Sequence, residues 1–491
     1  MTMEDVRTPS QGFERGTVSY DAAWSLGYAT VVRVATLAAS IAIARLVGPT
    51  GSGALGVALQ VTALGSMLAA FNLPQSLARH LAASDDPAIH RRMLKTSALM
   101  ILVSSLIAGS GIAVLSAWLG RQVYRDDSLV RVLLWCGPLI VATASMSWVE
   151  GALQGLRRFP ELTRWGAAVS VLDLTLGVAA ALFGVVGLVA SRALVRAGAV
   201  VAAAIGLFRT PQFVGPSGRG HYLATAGPLL SFAAPTLLSA AIVLGAQAAL
   251  RLLLVRSAGI GAGGQFQAAD SIAQGLLLVP GAASIALMRA IASKEASGYA
   301  GLGASLRHAL ERVIGWNIPI CLAVIGLVPW ATPTLFGSEF ASAAPVLALL
   351  AAGYGLSGPC LVFGAILLGR GEVWAGVIVN LVWSAVVLIA FGLGGTRFGA
   401  SGAALAITVG YVVLLTLLLV VVVPRWATPR RTLMPVTVAT FVSLGVGCAM
   451  ALTPTIPAPA SAGVCLALGL AMFARWGRTN SPRSGPPREL R

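Results

Sequence analysis

Residues Trp24–Leu81 read WSLGYATVVRVATLAASIAIARLVGPTGSGALGVALQVTALGSMLAAFNLPQSLARHL. An apolar run interrupted only by Arg33 leads into a Gly-rich turn, VGPTGSGALG, and a second apolar run closes in FNLPQSLARHL. A weaker echo lies between Ser231 and Ile291: an apolar run carrying Arg251 and Arg256, the turn AGIGAGGQF, and a second run closing in LLVPGAASIALMRAI. Gly53 falls on Gly264 (264 − 53 = 211) and Arg79 on Arg289 (289 − 79 = 210). Two related halves follow from that offset, and a large internal repeat in a membrane chain points first to a transporter.

The solvent is a bilayer. Of 491 residues, 57% are hydrophobic and only 10% charged, a balance that a water-soluble domain of this length does not carry. Cys136, Cys321, Cys360, Cys448 and Cys465 all sit in apolar runs without CxxC spacing, so neither a disulfide framework nor a metal centre is indicated. The first apolar run is too long and too interrupted by arginine for a cleaved leader, and is read as a retained first span.

A spanning helix needs about 20 mostly apolar residues. Counting such runs predicts an all-α polytopic protein of 14 spans: 22–46, 54–78, 95–118, 130–154, 162–184, 186–208, 227–254, 265–290, 312–335, 343–368, 373–394, 399–423, 432–452 and 459–475. The connections leave no room for a folded soluble domain. With the N-terminus inside, 24 of the 34 basic residues fall in inner connections and tails, and six lie outside: Arg45, Arg121, Arg125, Arg131, Arg256 and Arg397. That bias sets both termini on the cytoplasmic side and accounts for most of the net charge of +17 without a nucleic-acid partner. The Pro- and Arg-rich tail 477–491 reads as disordered.

Four basic residues remain inside the apolar runs: Arg33, Arg192, Arg196 and Arg251. An arginine at a helix centre costs about 2.5–3.5 kcal/mol of insertion, whereas each Leu, Ile or Val returns about 0.3–0.6. Charge there marks a functional position by default. For Arg33 the readings are a water-filled cavity or an ion pair with Asp173 or Asp270, the two acids placed within spans. Arg192 and Arg196 are one turn apart and share a helix face. Arg251 either faces the cavity or snorkels to the interface. Glu150 sits near Arg157 and Arg158 and reads as an interfacial partner. Prolines at 138, 228, 235, 280, 319, 329 and 359 mark helices that bend, as a rocking transporter requires.

Three segments carry a resemblance. IARLVGPTGSGALGVALQVTALGSMLAAFNLPQSLARHLA, GALQGLRRFPELTRWGAAVSVLDLTLGVAAALFGVVGLVASRAL and GAILLGRGEVWAGVIVNLVWSAVVLIAFGLGGTRFGASGAALAITVGYVV resemble the helix 1–2, helix 4–6 and helix 10–12 regions of the O-antigen and exopolysaccharide flippases. These form the polysaccharide-transporter branch of the multidrug/oligosaccharidyl-lipid/polysaccharide (MOP) superfamily, and the likeness covers about residues 20–425. The chain departs from the family pattern at Leu55, where an aromatic is usual, whereas its second-half counterpart Phe266 keeps the ring. Arg192 and Arg196 map onto no family motif.

The resemblance implies two six-helix lobes forming a V around a central cavity: an N-lobe over 1–208, a C-lobe over 209–425, and two appended helices over 426–476. It implies a bacterial cytoplasmic-membrane flippase that moves an undecaprenyl-pyrophosphate-linked oligosaccharide to the outer leaflet for polysaccharide export. It implies no resident cofactor, with Na⁺ or H⁺ as the coupling ion, and polysaccharide-assembly proteins as partners. A guanidinium matches phosphate oxygens in bidentate fashion. Arg33, Arg192, Arg196 and Arg251 are therefore the expected head-group ligands, with Asp173 and Asp270 as ion-coupling or charge-pairing acids. A lipid II-type flippase and a multidrug or cation antiporter of the same superfamily stay open. An enzyme is disfavoured: the acidic pairs Asp85–Asp86 and Asp126–Asp127 lie in short loops, and His80, His90, His221 and His308 show no ligand spacing.

Overall fold

Two glycines set the course of the chain in the computed structural model. Gly48 adopts φ 66°, ψ −175° inside α1 (Arg15–Ala70), and Gly259 adopts φ 84°, ψ 168° inside α7 (Tyr222–Ala273). L-residues with a Cβ are strained at such φ, and after Gly48 comes Pro49, which has no amide hydrogen to lose at a helix start. A straight helix over Thr30–Ala70, 41 residues, would run about 60 Å, twice the thickness of the hydrocarbon core. Instead Arg33 and Ala63 line one cavity, so α1 folds back at Gly48. α7 does the same at Gly259: Arg251 on one arm bonds to Asp270 on the other. The separation 259 − 48 = 211 is the repeat offset read from the sequence. The structure describes residues 15–82, 86–208, 222–281, 302–370 and 372–422, with isolated stretches within 283–287 and 441–469.

The two hairpins pack tip to tip. A Cβ on Gly53 would collide with the Ile260 carbonyl, and one on Gly264 with the Pro49 carbonyl, so only glycine permits this approach. Around the hairpins stand α3 (Pro87–Trp118), α4 (Ser128–Gly155), α5 (Phe159–Ala181) and α6 (Gly184–Phe208) on one side. On the other stand α8 (Leu302–Phe336), α9 (Ala343–Gly369), α10 (Val373–Leu393) and α11 (Gly399–Leu417). Among the described residues there is no β-strand. Ten helices are long and apolar enough to cross a membrane. Two of these are the folded hairpins, which makes twelve crossings among the described residues. The last two of the 14 expected spans, and the tail 477–491, lie mostly or wholly outside those residues.

The span expected over 54–78 is a correction. It ends at Ala70, and Phe71 (φ 49°) and Asn72 (φ 52°) take left-handed backbone before α2 (Leu73–Ala82) begins. Ten residues make about 15 Å of helix, too short to cross. Leu73, Leu77 and Leu81 are buried on one face of α2, while Arg79 and His80 occupy its last turn, where cations suit the helix dipole. The asparagine side chain compensates the turn by donating to Gln75 at 3.2 Å and to Thr236 at 2.8 Å. α3 also starts earlier than expected, with Pro87 in its first turn and Asp86 capping the Ala88 amide at 2.8 Å, so Arg91, Arg92 and Lys95 belong to the helix rather than to a connection.

The largest apolar cluster draws on residues from 246 onward, with Phe363 and Phe391 fully buried. Two further clusters are built almost wholly from the first half, around Leu133 and Leu139 and around Leu77 and Leu94. Apolar side chains face outward as well: Val114, Phe183 and Leu393 are 81%, 84% and 83% exposed. In water such a surface would aggregate; it is the surface a multi-pass protein offers to lipid.

Candidate functional site

Both hairpins wall a cavity of about 450 Å³ between the halves. Arg33, Ser40, Ser52 and Gln60 reach it from the two arms of α1, and Gln247, Arg251, Gln267 and Ser271 from the two arms of α7. Gln274, in the 3₁₀ turn Gln274–Leu277 that continues α7, joins them, as do Arg192 from α6, Tyr354 from α9 and Tyr411 from α11. Three of the four arginines singled out in the sequence therefore converge on one space.

Their electrostatic situations differ. Arg251 is 13% exposed at its side chain and makes an ion pair of 2.9 Å with Asp270. It also donates to Gln267 Oε1 and lies 5.3 Å over the Phe266 ring, a cation–π distance. It does not snorkel. Gly56 leaves room for this arrangement, since a Cβ there would stand 3.0 Å from both Arg251 Nη1 and Gln267 Oε1. Asp270 accepts from Tyr354 Oη at 2.7 Å on one oxygen, and from Arg251 and from Gln274 Nε2 at 2.8 Å on the other. Both carboxylate oxygens are thus engaged. Arg33 is half-buried and donates to Gln274 Oε1 at 3.3 Å, so it touches Asp270 only through that glutamine.

Arg192 stands apart. It is 8% exposed, it lines the cavity, and its Nε has no hydrogen-bond partner. No ion pair or hydrogen bond to it is found among the described residues. Its charged neighbours are Asp173 and Arg196, neither within hydrogen-bond reach of it, and a buried cation without a direct acceptor is costly in low dielectric. Arg196, one turn on, points elsewhere: it donates to Thr143 at 2.8 Å and meets Asp173 at 3.5 Å, with the two charged side chains 21% and 19% exposed. Arg196 and Asp173 are not part of the cavity wall.

Two further cavities lie toward the Asn72 end of the hairpins. One of about 600 Å³ is mostly apolar, with Ser239, Asn380 and Trp383 among its walls, and it shares Leu244, Leu277 and Tyr411 with the charged cavity. The other, of about 360 Å³, is lined by Thr143, Ser147, Glu150 and Gln154, while Arg158 pairs with Glu161 at 3.3 Å. Asn72 and Gln75 border both. The glutamines and tyrosines of the charged cavity were not singled out in the sequence. An amide inside an apolar run costs less than a charge and attracts less notice, and only the recurrence of Gln at 60, 247, 267 and 274 would have marked them.

The sequence pattern of the family described as "polysaccharide biosynthesis protein" matches residues 20–291, more than half of the chain. No curated protein matches the sequence. Among solved structures, the lipid II flippase MurJ in an inward closed conformation superposes with a TM-score of 0.70 at 12% identity, over 93% of this chain and 98% of that one. An inward-facing multidrug resistance MATE family transporter of the MOP superfamily gives 0.61 at 16% identity, over 92% and 96%. A MOP superfamily transporter from Pyrococcus furiosus, described as having a binding pocket of reverse polarity, gives 0.58 at 17% identity, over 87% and 96%. The family pattern covers more than half of the chain and the described helices agree with it: the chain belongs to the polysaccharide biosynthesis protein family, its fold is similar to that of MurJ and of the MATE and other MOP superfamily transporters, and ten of its helices are long and apolar enough to cross a membrane.

Proposed function

We propose that the protein is a flippase for an undecaprenyl-pyrophosphate-linked oligosaccharide, working by alternating access in the bacterial cytoplasmic membrane. Arg192 carries the reading: a buried guanidinium facing a cavity without an acceptor is a site waiting for an anion. The cavity holds Arg33, Arg192 and Arg251 against the single carboxylate Asp270. The remaining charge of about +2 complements the roughly two negative charges of a pyrophosphate diester, which guanidinium forks bind well. Arg251, already committed to Asp270, orients and screens, while Arg33 and Arg192 take the phosphates. Arg196 stays with Asp173, outside the cavity wall and apart from the substrate.

In this reading the termini are cytoplasmic and the Gly48 and Gly259 turns face outward. The lobes 1–208 and 209–425 rock about the hairpins, polysaccharide-assembly proteins supply and receive the cargo, and no resident cofactor takes part. Coupling falls to Na⁺ or H⁺ exchanging at Asp270 or Asp173. A cation antiporter is less well supported, because three arginines face a single carboxylate in this cavity, a balance that favours an anionic cargo. A lipid II-type flippase would use the same arginines, so the lipid itself must decide.

The test is complementation and lipid analysis in cells lacking the protein, with wild type, Arg192→Ala and Arg33→Ala at matched abundance. The expected result is accumulation of a polyprenyl-pyrophosphate oligosaccharide on the cytoplasmic face, rescued by wild type and by neither variant. Accumulation of lipid II instead, or drug sensitivity without any lipid intermediate, would overturn the glycan reading.

A further inference from the structure

The end of the cavity bounded by the Gly48 and Gly259 turns carries a contact made twice. Arg45, before the first turn, donates Nε to the Leu335 carbonyl at 2.7 Å and Nη2 to the Thr334 carbonyl. Arg256, before the second turn, donates Nε to the Val123 carbonyl at 2.6 Å and Nη2 to the Gln122 carbonyl at 3.0 Å. The donors are repeat equivalents, since 256 − 45 = 211, and so are the acceptors, since 335 − 123 = 212 and 334 − 122 = 212. The same two guanidinium atoms meet two successive carbonyls in the same order on both sides, and each fork crosses from one half to the other.

The acceptors suit a cation. Thr334 and Leu335 lie in the last turn of α8, and Gln122 and Val123 in the π-helical segment Leu119–Tyr124 that prolongs α3. The last carbonyls of a helix lack intrahelical donors and carry the negative end of its dipole. Lysine places its charge at a point and cannot span two carbonyls in this way, whereas the arginine fork can. Between the forks lies the glycine contact of Gly53 with Ile260 and of Gly264 with Pro49. The opposite end is held differently, by the single neutral bonds of Asn72 to Thr236 at 2.8 Å and of Ser76 to the Leu229 carbonyl at 2.9 Å, beside the two additional cavities.

We propose that Arg45 and Arg256 form a reciprocal two-point latch that holds the Gly48 end of the cavity shut, and that both forks release when this end opens. The latch explains why arginine stands on the side of the membrane that is poor in basic residues. Because the forks are equivalent, each contributes equally, and one alone holds the end only in part.

The test reads conformation without substrate, so it stands or falls independently of what the cavity carries. Thr50→Cys and Gly261→Cys are introduced together, since a Cβ on Gly261 would lie 4.0 Å from Thr50 Cγ2, and disulfide formation between them is followed in membranes. Arg45→Ala or Arg256→Ala should each shift the population toward the open end by about tenfold, and the pair by about a hundredfold, the factors expected of independent charge-assisted forks. Arg45→Lys and Arg256→Lys, which keep charge and abundance, should fall between alanine and wild type, and they carry the test if the double alanine variant fails to accumulate. Unchanged crosslinking in the double variants, or dependence on one arginine alone, would overturn the reciprocal latch.

Discussion

Arg251 and Arg192 face the same cavity from opposite halves, and the protein treats them oppositely. Arg251 is neutralised by Asp270, buttressed by Gln267 and laid over Phe266. Arg192 is more than nine-tenths buried and has no acceptor at Nε. The first is a charge built into the fold. The second is a buried charge without a direct acceptor, with Asp173 and Arg196 as its charged neighbours, and a charge so placed within a span is a candidate functional position. The comparison teaches that a count of intramembrane arginines is not a count of binding groups.

That contrast can be broken most forcefully at Asp270. Asp270→Ala strands Arg251 as a second unpaired buried cation and frees Tyr354 and Gln274, and it should destabilise the protein by about 3–5 kcal/mol. Thermal unfolding in detergent checks this, and an added Arg251→Met should recover most of the loss. A stable single variant would show that Arg251 finds another acceptor. Arg192→Met should do the reverse: transport falls by at least about tenfold, while stability is unchanged or rises by about 1–3 kcal/mol, because a buried charge without a direct acceptor has been removed. Loss of stability in that variant would mean that Arg192 has a structural partner.

Smaller effects sharpen the comparison one turn away. Arg196→Ala should cost about 1–3 kcal/mol, since it removes the partner of a mostly buried Asp173 and the bond to Thr143, and transport should remain at matched abundance. A transport loss as deep as that of Arg192→Met would place Arg196 in the substrate path after all. Gly56→Ala should have the mildest effect. It presses on Arg251 and Gln267 at 3.0 Å, side-chain atoms that give by a few tenths of an ångström, and so should lower substrate affinity by a few-fold with stability changed by less than about 1.5 kcal/mol. Equal affinity in a direct binding assay would show that the Arg251–Gln267 contact does not tune the site.

Much of the architecture was legible before any coordinates. Apolar runs of membrane length and the 211-residue offset locate the two hairpins, because glycine at a sharp turn, with proline behind it at Gly48 and isoleucine at Gly259, is a local requirement visible in one line of text. The helix break at Phe71–Asn72 was not legible. Both residues adopt left-handed backbone that their types do not demand, held by bonds from Asn72 to Gln75 and to Thr236, the second of them 164 residues away. Within the cavity, arginine and aspartate drew notice because charge in an apolar run is expensive, whereas Gln274, Gln267, Tyr354 and Tyr411 did not.

What the sequence by itself determined is where the chain is helical, where it folds back on itself, and which few residues carry charge into the bilayer. Each of these follows from the free energy of placing a short segment in hydrocarbon, which depends on that segment alone. Which charge is paired within the fold and which faces the cavity without a direct acceptor was decided only by tertiary structure. Arg192 and Arg196 differ by about 6 Å of rise and about 40° of turn along one helix. That suffices to aim one into the cavity and to bring the other to Asp173 and Thr143. Pairing is a property of the space between helices, and no single helix contains it.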